Sequence, residues 1–355
     1  MNRYLIFSLF LMIHVSSFFS VFPEKMIAAT AAGQWEAILF GCLLELFALW
    51  LYLKALAAFP GKNLVEICSE TAGKWGTRII VLPFVLFLFF YLILLVYYEA
   101  TEIKAVVLPK TPLSATLFVF ILLTAYAAWK GIHAIVRAGA ALFFLFMPFV
   151  LFSLFISLEN YDIRHAFPIW DPTASFLAKP DFYVGLLANS GFLILGMLPL
   201  DKPLQLRSIL PVMLPVAAFG MLTVYAPLFI FGHETAKNLQ YPALMASDTV
   251  DLEWVVFDWL PTFYVVSASS ISVLQASVLL WMLSKLLRLL FLSVDEKWIV
   301  VGLSVVVTFL SLRISNVHRL NEYFALNSWF CLYSLVCIPI ILAVLAKIGR
   351  RRAKA

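Results

Sequence analysis

Charged residues are scarce in this chain. Only 13% of its 355 residues are Asp, Glu, Lys or Arg, whereas 63% are hydrophobic. Soluble domains carry about 25% charged and about 45–50% apolar residues. A soluble fold of this size could not bury so much apolar surface and still keep a wettable exterior. The composition therefore excludes an ordinary soluble protein and predicts a protein embedded in lipid.

Cysteines and catalytic motifs are also sparse. The four cysteines (Cys42, Cys68, Cys331 and Cys337) show no metal-ligand spacing, and three of them lie in apolar segments. No HExxH, GxSxG or Walker A pattern occurs. We therefore expect no enzyme activity, no metal centre and no cofactor. The basic residues lie in short loops between apolar segments, which argues against a nucleic-acid partner.

Long apolar segments dominate the chain. A helix that crosses a bilayer needs about 20 apolar residues. Ten segments qualify, and we number them helices 1 to 10: 4–22, 35–57, 79–107, 112–129, 134–157, 183–200, 209–232, 262–291, 297–313 and 323–347. They predict an all-α polytopic membrane protein. The first segment lacks an A-x-A cleavage site, so we interpret it as a retained helix rather than a signal peptide.

The distribution of basic residues predicts the orientation. With the amino terminus inside, seventeen of the 25 Lys and Arg residues fall in inner segments and eight in outer ones, which places both termini in the cytoplasm. Two longer outer loops, 158–182 and 233–261, are expected to contain short interfacial helices. The inner loop 59–78 predicts a turn, an N-cap at Asn63 and a brief amphipathic helix.

The ten segments divide into two halves of five. The halves span residues 1–157 and 182–347, followed by a basic tail, 348–355. An odd number of helices per half inverts the second half, as in inverted-repeat transporters, whose binding site lies where the first helix of each half is broken. We therefore predict a single permease-like domain with a five-plus-five inverted repeat and broken helices 1 and 6.

Each of these two helices contains a polar weak point. Helix 1 has HVSS at 14–17, and helix 6 has ANSG at 188–191. Broken helices expose backbone groups that can bind a carboxylate, an ammonium group or an ion. The candidate substrate-binding residues of the two helices are His14, Ser16, Ser17, Asn189, Ser190 and Gly191. The alternative is that the small residues only allow close helix packing and that the histidine is a packing residue.

Further polar residues lie in helices 2, 3 and 8. Glu45, in the middle of helix 2, must be partnered, protonated or exposed to a cavity, so it has either a coupling or gating role or a structural hydrogen bond. Tyr91, near the centre of helix 3, is a candidate for the binding site. Ser267 and Ser270 share one face of helix 8 and either contact an ion or substrate or serve helix packing.

The outer end of helix 3 carries two more acidic residues and two tyrosines. Rise per residue places Glu99 near the outer rim of the membrane. We expect Glu99 and Glu102 to lie at a solvated vestibule edge, and Tyr97 and Tyr98 to belong to the interfacial aromatic belt.

Several motifs resemble one family. They are PGKN at 60–63 followed by GKW at 73–75, LPKTP at 108–112, and PLDKP at 199–203 followed by YPAL at 241–244. Together they resemble the integral-membrane permease (B) subunit of bacterial spore germinant receptors, over nearly the whole chain. Residues 187–191 lack the Pro and acidic residue expected of that family in helix 6, and Gln275 stands where a charge is expected.

The resemblance implies a specific function, which composition alone cannot indicate. Its members are similar to the amino acid–polyamine–organocation transporters and are expected in the spore inner membrane beside two partner subunits. There they would sense a nutrient, such as an amino acid, and help to trigger germination. The alternatives are an active amino-acid or small-solute transporter in the cell membrane and a passive ion or water pathway.

Overall fold

The computed structural model describes residues 3–198, 204–249 and 260–352. Regular secondary structure in these ranges is helical, with no strand. The PLDKP segment at 199–203, residues 250–259 of the second outer loop and the end of the basic tail fall outside the described residues. Among the described helices, seven are long and apolar enough to cross a membrane, and a bent pair at the amino terminus makes an eighth.

Two shorter helical segments complete the ten predicted spans. One is the α-helix Pro180–Gly185, which continues as the 3-10 helix Leu186–Gly196, and the other is Glu296–Ser311. The all-α, ten-helix prediction is confirmed. The observed bounds are: helix 1, Arg3–Phe19 (1a) and Phe22–Ala29 (1b); helix 2, Gln34–Leu56; helix 3, Leu64–Val106; helix 4, Leu113–Lys130; helix 5, Ile132–Ile156; helix 6, Pro180–Gly196; helix 7, Leu206–Ala236; helix 8, Leu260–Leu290; helix 9, Glu296–Ser311; and helix 10, Val317–Arg352 with a π-turn at Tyr333–Cys337.

Helix 1 is broken, but not where its polar residues lie. Its two parts meet at an angle of 60° across Ser20 and Val21. Pro23 explains the position, because it lacks an N–H and its ring would collide with the carbonyl of Phe19 in a continuous helix. The break predicted at 14–17 is therefore corrected to residues 20 and 21. The first span also extends beyond its predicted end, to Ala29.

Helix 6 changes its winding instead of opening into a gap. The α-helix ends at Gly185, and eleven residues of 3-10 helix follow it, including Asn189 and Ser190. Runs of 3-10 helix longer than about four residues are uncommon and often mark a functional hinge. The interruption predicted in helix 6 is thus a tighter winding of the backbone over its last eleven residues.

Helix 3 begins with the short amphipathic segment expected from the sequence, which we call the inner arm, residues 64–72. Asn63 caps it, because its side chain accepts from the Glu66 N–H while the Glu66 carboxylate accepts from the Asn63 N–H. Gly73, with φ of 71°, then turns the chain into the membrane span. The left-handed backbone at this position favours glycine.

The outer loops also contain the short helices expected of them. The first has three 3-10 turns, and the second has the helix Pro242–Ser247, which we call the outer helix. Helix 8 lies at the centre of the fold: 78% of its most apolar stretch is buried, against 22% for helix 5. Helix 8 packs against helices 1 and 3, and helix 1 also packs against helix 6. These four helices surround the candidate site.

Candidate functional site

A narrow cavity of about 20 Å³ lies where helices 1, 3, 6 and 8 meet. Four predicted site residues line it: Ser17, Tyr91, Ser190 and Gly191. The rest of the lining is Gln275 and the apolar side chains of Ile13, Phe87, Leu88, Leu193, Ile194, Val278, Leu279 and Met282. A cavity needs roughly 10–15 Å³ to hold one water molecule. The structure therefore shows a closed site, with room for about one water.

Gln275 organises the polar side of this cavity. Its Nε2 donates to Ser17 Oγ at 2.6 Å and to Tyr91 Oη at 3.1 Å. Ser17 donates its only hydroxyl hydrogen to the Ile13 carbonyl at 2.9 Å, so its oxygen must accept, which fixes the orientation of the amide. The Gln275 Oε1 atom is buried without a hydrogen-bond partner. A free acceptor thus stands at the cavity.

A second polar cluster lies beside the cavity and joins helices 1, 2 and 6. His14 Nε2 lies 2.7 Å from Glu45 Oε1, and Asn189 Nδ2 donates to Glu45 Oε2 at 3.0 Å. His14 Nδ1 donates to the Phe10 carbonyl at 2.7 Å. His14 and Glu45 are both fully buried. The pair shares one proton, on the carboxyl or on the imidazole, and is neutral overall in either state.

Two glycines allow the three helices to approach closely. A Cβ atom at Gly191 would lie 2.7 Å from His14 Cε1 and 2.9 Å from Ile13 Cγ2. A Cβ atom at Gly41, on helix 2, would lie 3.0 Å from Asn189 Oδ1. A side chain at Gly191 would push helix 6 away from helix 1. The packing role and the cavity-lining role of Gly191 therefore coincide.

The remaining predicted residues lie elsewhere. Ser16 donates to Ser272 Oγ at 3.2 Å and so connects helix 1 to helix 8. Ser267 is buried, and Ser270 donates to the Val266 carbonyl and lines an apolar groove beside helix 4. Neither Ser267 nor Ser270 lines the small cavity. His14 and Asn189 belong to the Glu45 cluster rather than to the lining.

Helix 8 contributes a residue that was not selected from the sequence. Ser269, Ser272 and Gln275 recur every three residues and therefore share one face. That spacing, together with the cost of placing a large amide in lipid, would have pointed to Gln275 instead of Ser267 and Ser270.

The outer end of helix 3 is not solvated. Glu99 and Glu102 are only 1% and 3% exposed, and Tyr98 is buried with them. Tyr241 explains this, since its ring packs on that of Tyr98 at 5.0 Å and its hydroxyl lies 2.7 Å from Thr101 Oγ1. Tyr241 directly precedes the outer helix, Pro242–Ser247. The expectation of a solvated vestibule edge was wrong for both acids, and Tyr97 and Tyr98 are core residues rather than belt residues.

The first outer loop is anchored to helix 2 outside the membrane. Trp35 Nε1 donates to the Ile169 carbonyl at 2.8 Å. The Asp171 carboxylate accepts hydrogen bonds from the backbone and hydroxyl groups of Thr173 and Ser175. These donors stabilise the charged form and hold the pKa of Asp171 well below its usual range. Trp35 thus anchors the loop to helix 2, and the Asp171 carboxylate stabilises the turn within the loop.

Metal-ligating side chains do not cluster in the described ranges: no group of three or more His, Cys, Asp or Glu residues is placed to hold a metal ion. The polar groups around the cavity are hydroxyls, one amide and the His14–Glu45 pair. This chemistry suits a small polar ligand held by hydrogen bonds.

Solved transporters share the fold of this chain. MhsT in complex with L-phenylalanine matches it with a TM-score of 0.68 at 12% identity, over 98% of this chain and 97% of MhsT. Mhp1, a nucleobase-cation-symport-1 family transporter in a closed conformation with bromovinylhydantoin bound, matches with a TM-score of 0.58 at 16% identity, over 90% of this chain and 74% of Mhp1. These matches confirm the transporter fold, with its five-plus-five arrangement and interrupted helices 1 and 6.

Sequence comparison identifies the family. YfkT of Bacillus subtilis (strain 168), which is named as a spore germination protein, is 23% identical over 258 residues, or 70% of this chain and 71% of YfkT. The model of the Spore_permease family, described as spore germination protein, matches residues 1–319. This multi-pass membrane protein therefore belongs to the spore germination protein family.

Proposed function

We propose that the chain is the nutrient-sensing membrane subunit of a spore germinant receptor. A small solute, an amino acid in the first instance, would bind between helices 1, 3, 6 and 8. The observation that carries the proposal is the cavity itself, in which Ser17, Tyr91, Ser190 and Gln275 converge where the two interrupted helices meet. The family and the transporter fold support it.

The lining fits a small zwitterion with an apolar side chain. Gln275 Oε1 is a free acceptor for an ammonium group, and the Tyr91 hydroxyl, which accepts from Gln275 Nε2, can donate its hydrogen to a carboxylate. The Ser17 and Ser190 hydroxyls now donate to the Ile13 and Leu187 carbonyls and would have to turn toward the ligand in the expanded state. The apolar lining residues, including Phe87 and Met282, would receive the ligand side chain. Small-molecule sites commonly combine an apolar wall with a few convergent polar groups.

Ligand binding requires the cavity to expand, because it now has room for only about one water molecule. The break in helix 1 and the change of winding in helix 6 are the places where the two helices can move. An amino acid would bind the expanded state and shift the population toward it by as much as its affinities for the two states differ. This movement is the proposed signal.

The His14–Glu45–Asn189 cluster would set how easily helices 1 and 6 separate. Separation would remove His14 or Asn189 from Glu45 and leave a buried carboxyl without its partners, which is unfavourable. The cluster therefore favours the closed state and gives Glu45 a gating role. The protonation state of the pair would influence the same equilibrium.

The two other receptor subunits are the proposed partners, in the spore inner membrane, with both termini of this chain in the cytoplasm. The inner arm is suited to pass the movement on, since its Glu70 forms an exposed ion pair with Lys62 of the preceding turn. The arm also meets the end of helix 10, where a Cβ atom at Gly349 would lie 3.0 Å from Phe59 Cζ and 3.9 Å from Thr71 Cγ2.

Germination of spores tests this function. Spores lacking the chain would be complemented with wild type, with Ser190→Phe, which fills the cavity, or with Gln275→Leu, which removes the free acceptor. The matched control is Gly302→Ala on helix 9, where an added Cβ meets nothing within 4 Å. We expect wild type and the control to restore germination with at least one amino acid and both site variants to fail. Normal responses of both site variants to every amino acid would contradict the proposal.

Active transport is the second candidate, and the His14–Glu45 pair favours it because a buried acid–imidazole pair can carry a proton. Uptake of labelled amino acids into proteoliposomes, with and without a proton gradient, separates the two functions. Binding without uptake supports a sensor. Accumulation driven by the gradient and lost in Glu45→Gln supports a transporter.

A further inference from the structure

Two buried carboxyls lie one turn apart near the outer end of helix 3. Glu99 and Glu102 are 1% and 3% exposed and, at spacing i and i+3, lie on the same side of the helix. Burying a carboxylate is costly unless a positive charge or a proton balances it. Two neighbouring carboxylates repel each other as well. The pair therefore needs positive charge from some source.

The chain does not supply that charge from the residues described. Lys25, the buried cation on this side, bonds to Glu24 at 2.8 Å and to Asp181 at 3.4 Å. Within residues 3–198, 204–249 and 260–352, no Lys, Arg or His side chain forms an ion pair with Glu99 or Glu102. Glu24 adds a further negative charge near Tyr98 and Tyr241.

Free oxygen atoms surround the acidic pair. Glu99 Oε2, Ser269 Oγ and Tyr264 Oη are buried without hydrogen-bond partners. The Ser269 and Ser272 hydroxyls lie beside the Glu99 carboxyl, and the Tyr264 hydroxyl lies within electrostatic reach of both acids. Buried polar atoms in proteins are nearly always paired. The buried Tyr264 oxygen, together with the Glu99 and Ser269 oxygens, which form no hydrogen bond of good geometry, therefore points to a missing cation that would bind oxygen ligands.

We propose that Glu99, Glu102, Ser269 and Tyr264 form a binding site for a monovalent metal cation such as Na⁺ or K⁺. Hard cations take oxygen ligands, and the free atoms here are all oxygens. The cost of dehydrating an ion rises with the square of its charge, which favours a monovalent over a divalent cation at a site this deeply buried. A proton would neutralise one carboxyl but would leave the buried Tyr264 hydroxyl without a partner.

The cation site connects to the small cavity through one face of helix 8. Ser269 and Ser272 lie next to Glu99, and Gln275, one turn further along, contacts Ser17 and Tyr91. Ser16 donates to Ser272 and joins helix 1 to the same face. A bound cation would hold helix 8 against helix 3 and so stabilise the packing around the cavity. Cation binding at this site does not depend on the chain sensing a nutrient.

Thermal unfolding in lipid nanodiscs tests the site without any organic ligand. The wild-type chain would be measured in Na⁺, in K⁺ and in N-methyl-D-glucamine at equal ionic strength. We expect Na⁺ or K⁺ to raise Tm by a few degrees, because a ligand that binds only the folded state stabilises it. Glu99→Gln and Glu102→Gln should abolish the shift. Glu159→Gln, an exposed acid at the end of helix 5, should retain it.

Direct binding of ²²Na⁺ to the wild-type chain provides a second measurement that is independent of how the variants fold. We expect saturable binding that K⁺ competes with. A wild-type Tm that is the same in all three cations, or a shift that the double variant Glu99→Gln/Glu102→Gln retains, would overturn the proposal. Absence of saturable ²²Na⁺ binding and of K⁺ competition would do the same.

Discussion

Two regions of this molecule bury acidic side chains, and they differ in whether the protein supplies hydrogen-bond partners for the carboxyl groups. Glu45 has partners on both oxygens, from His14 at 2.7 Å and from Asn189 at 3.0 Å. Glu99 has one oxygen without a partner and a second acid, Glu102, one turn away. The first cluster is complete within the protein, whereas no Lys, Arg or His of the described ranges forms an ion pair with the acids of the second.

The difference indicates different roles. A completed buried cluster holds specific helices together, here helices 1, 2 and 6, and the proposed expansion of the cavity separates helices 1 and 6. An incomplete cluster is suited to binding something from outside the chain. The small cavity contains both bonded and unbonded polar atoms, since Gln275 Nε2 donates to Ser17 and Tyr91 while Gln275 Oε1 has no partner. Four predictions test this contrast, in order of decreasing effect.

Removing the Glu45 carboxyl should have the largest effect. Glu45→Ala leaves His14 and Asn189 buried without their partner, and breaking a buried pair by removing one member costs about 3–5 kcal/mol. The free energy of unfolding in nanodiscs measures this loss. Glu159→Ala, at an exposed acid, is the control and should change little. An unchanged free energy of unfolding in Glu45→Ala would show that the cluster does not hold helices 1, 2 and 6 together.

Adding one methyl group between helices 1 and 6 should have the next largest effect. Gly191→Ala places Cβ 2.7 Å from His14 Cε1, and His14 is held by two hydrogen bonds and cannot move aside. Overpacking of this kind costs about 1–3 kcal/mol. Gly302→Ala, with open space around it, should be neutral or slightly stabilising, because alanine favours helix over glycine by about 1 kcal/mol. Equal Tm values for the two variants would contradict the close packing.

Replacing Gln275 should weaken ligand binding more than it weakens the fold. Gln275→Leu removes the free acceptor and the bonds to Ser17 and Tyr91, whose hydroxyls retain other possible partners. Loss of one hydrogen bond to an ammonium group corresponds to about a tenfold or larger increase in Kd. Titration of a stabilising amino acid measures it. The control is Ser277→Ala on the same helix, and a tenfold loss there too would discount a specific role for Gln275.

Acid should produce the smallest effect, outside the membrane. The pKa of Asp171 is lower in the folded chain than its usual value. The ionised carboxylate therefore stabilises the outer loop fully at pH values above the usual pKa. This stabilisation is lost as the pH falls through the lowered pKa. Protection of the 168–176 amides from hydrogen exchange should therefore decrease in acid. Asp171→Asn should remove most of this pH dependence, and an unchanged profile in the variant would assign it to another group.

The sequence predicted the helical architecture well because hydropathy is a property of the chain alone. The approximate positions of the helices, the Asn63 cap and the short loop helices followed from local patterns. The break in helix 1 was misplaced because polar residues suggested a weak point at 14–17, whereas His14 and Ser17 are satisfied by carbonyls one turn back. Pro23 was the better local signal, but it was assigned to the loop.

The site was only partly predictable, because it depends on which helices meet. The sequence showed that Glu45 needed a partner and that His14 was a polar residue in an apolar helix. No local pattern, however, predicts a contact between residues that are thirty-one positions apart in the chain. Glu99 and Glu102 were placed in water because rise per residue gives depth but cannot show that Tyr241 covers them. Gln275 became part of the site through contacts with helices 1 and 3.

The central claim is that a small amino acid binds in the cavity between helices 1 and 6 and expands it. The most direct measurement is thermal unfolding of the purified chain in nanodiscs, for wild type and Ser190→Phe, with each common amino acid in turn. At least one amino acid should raise the Tm of the wild type and leave that of Ser190→Phe unchanged. No stabilisation of the wild type by any of them, or equal stabilisation of both proteins, would contradict the claim.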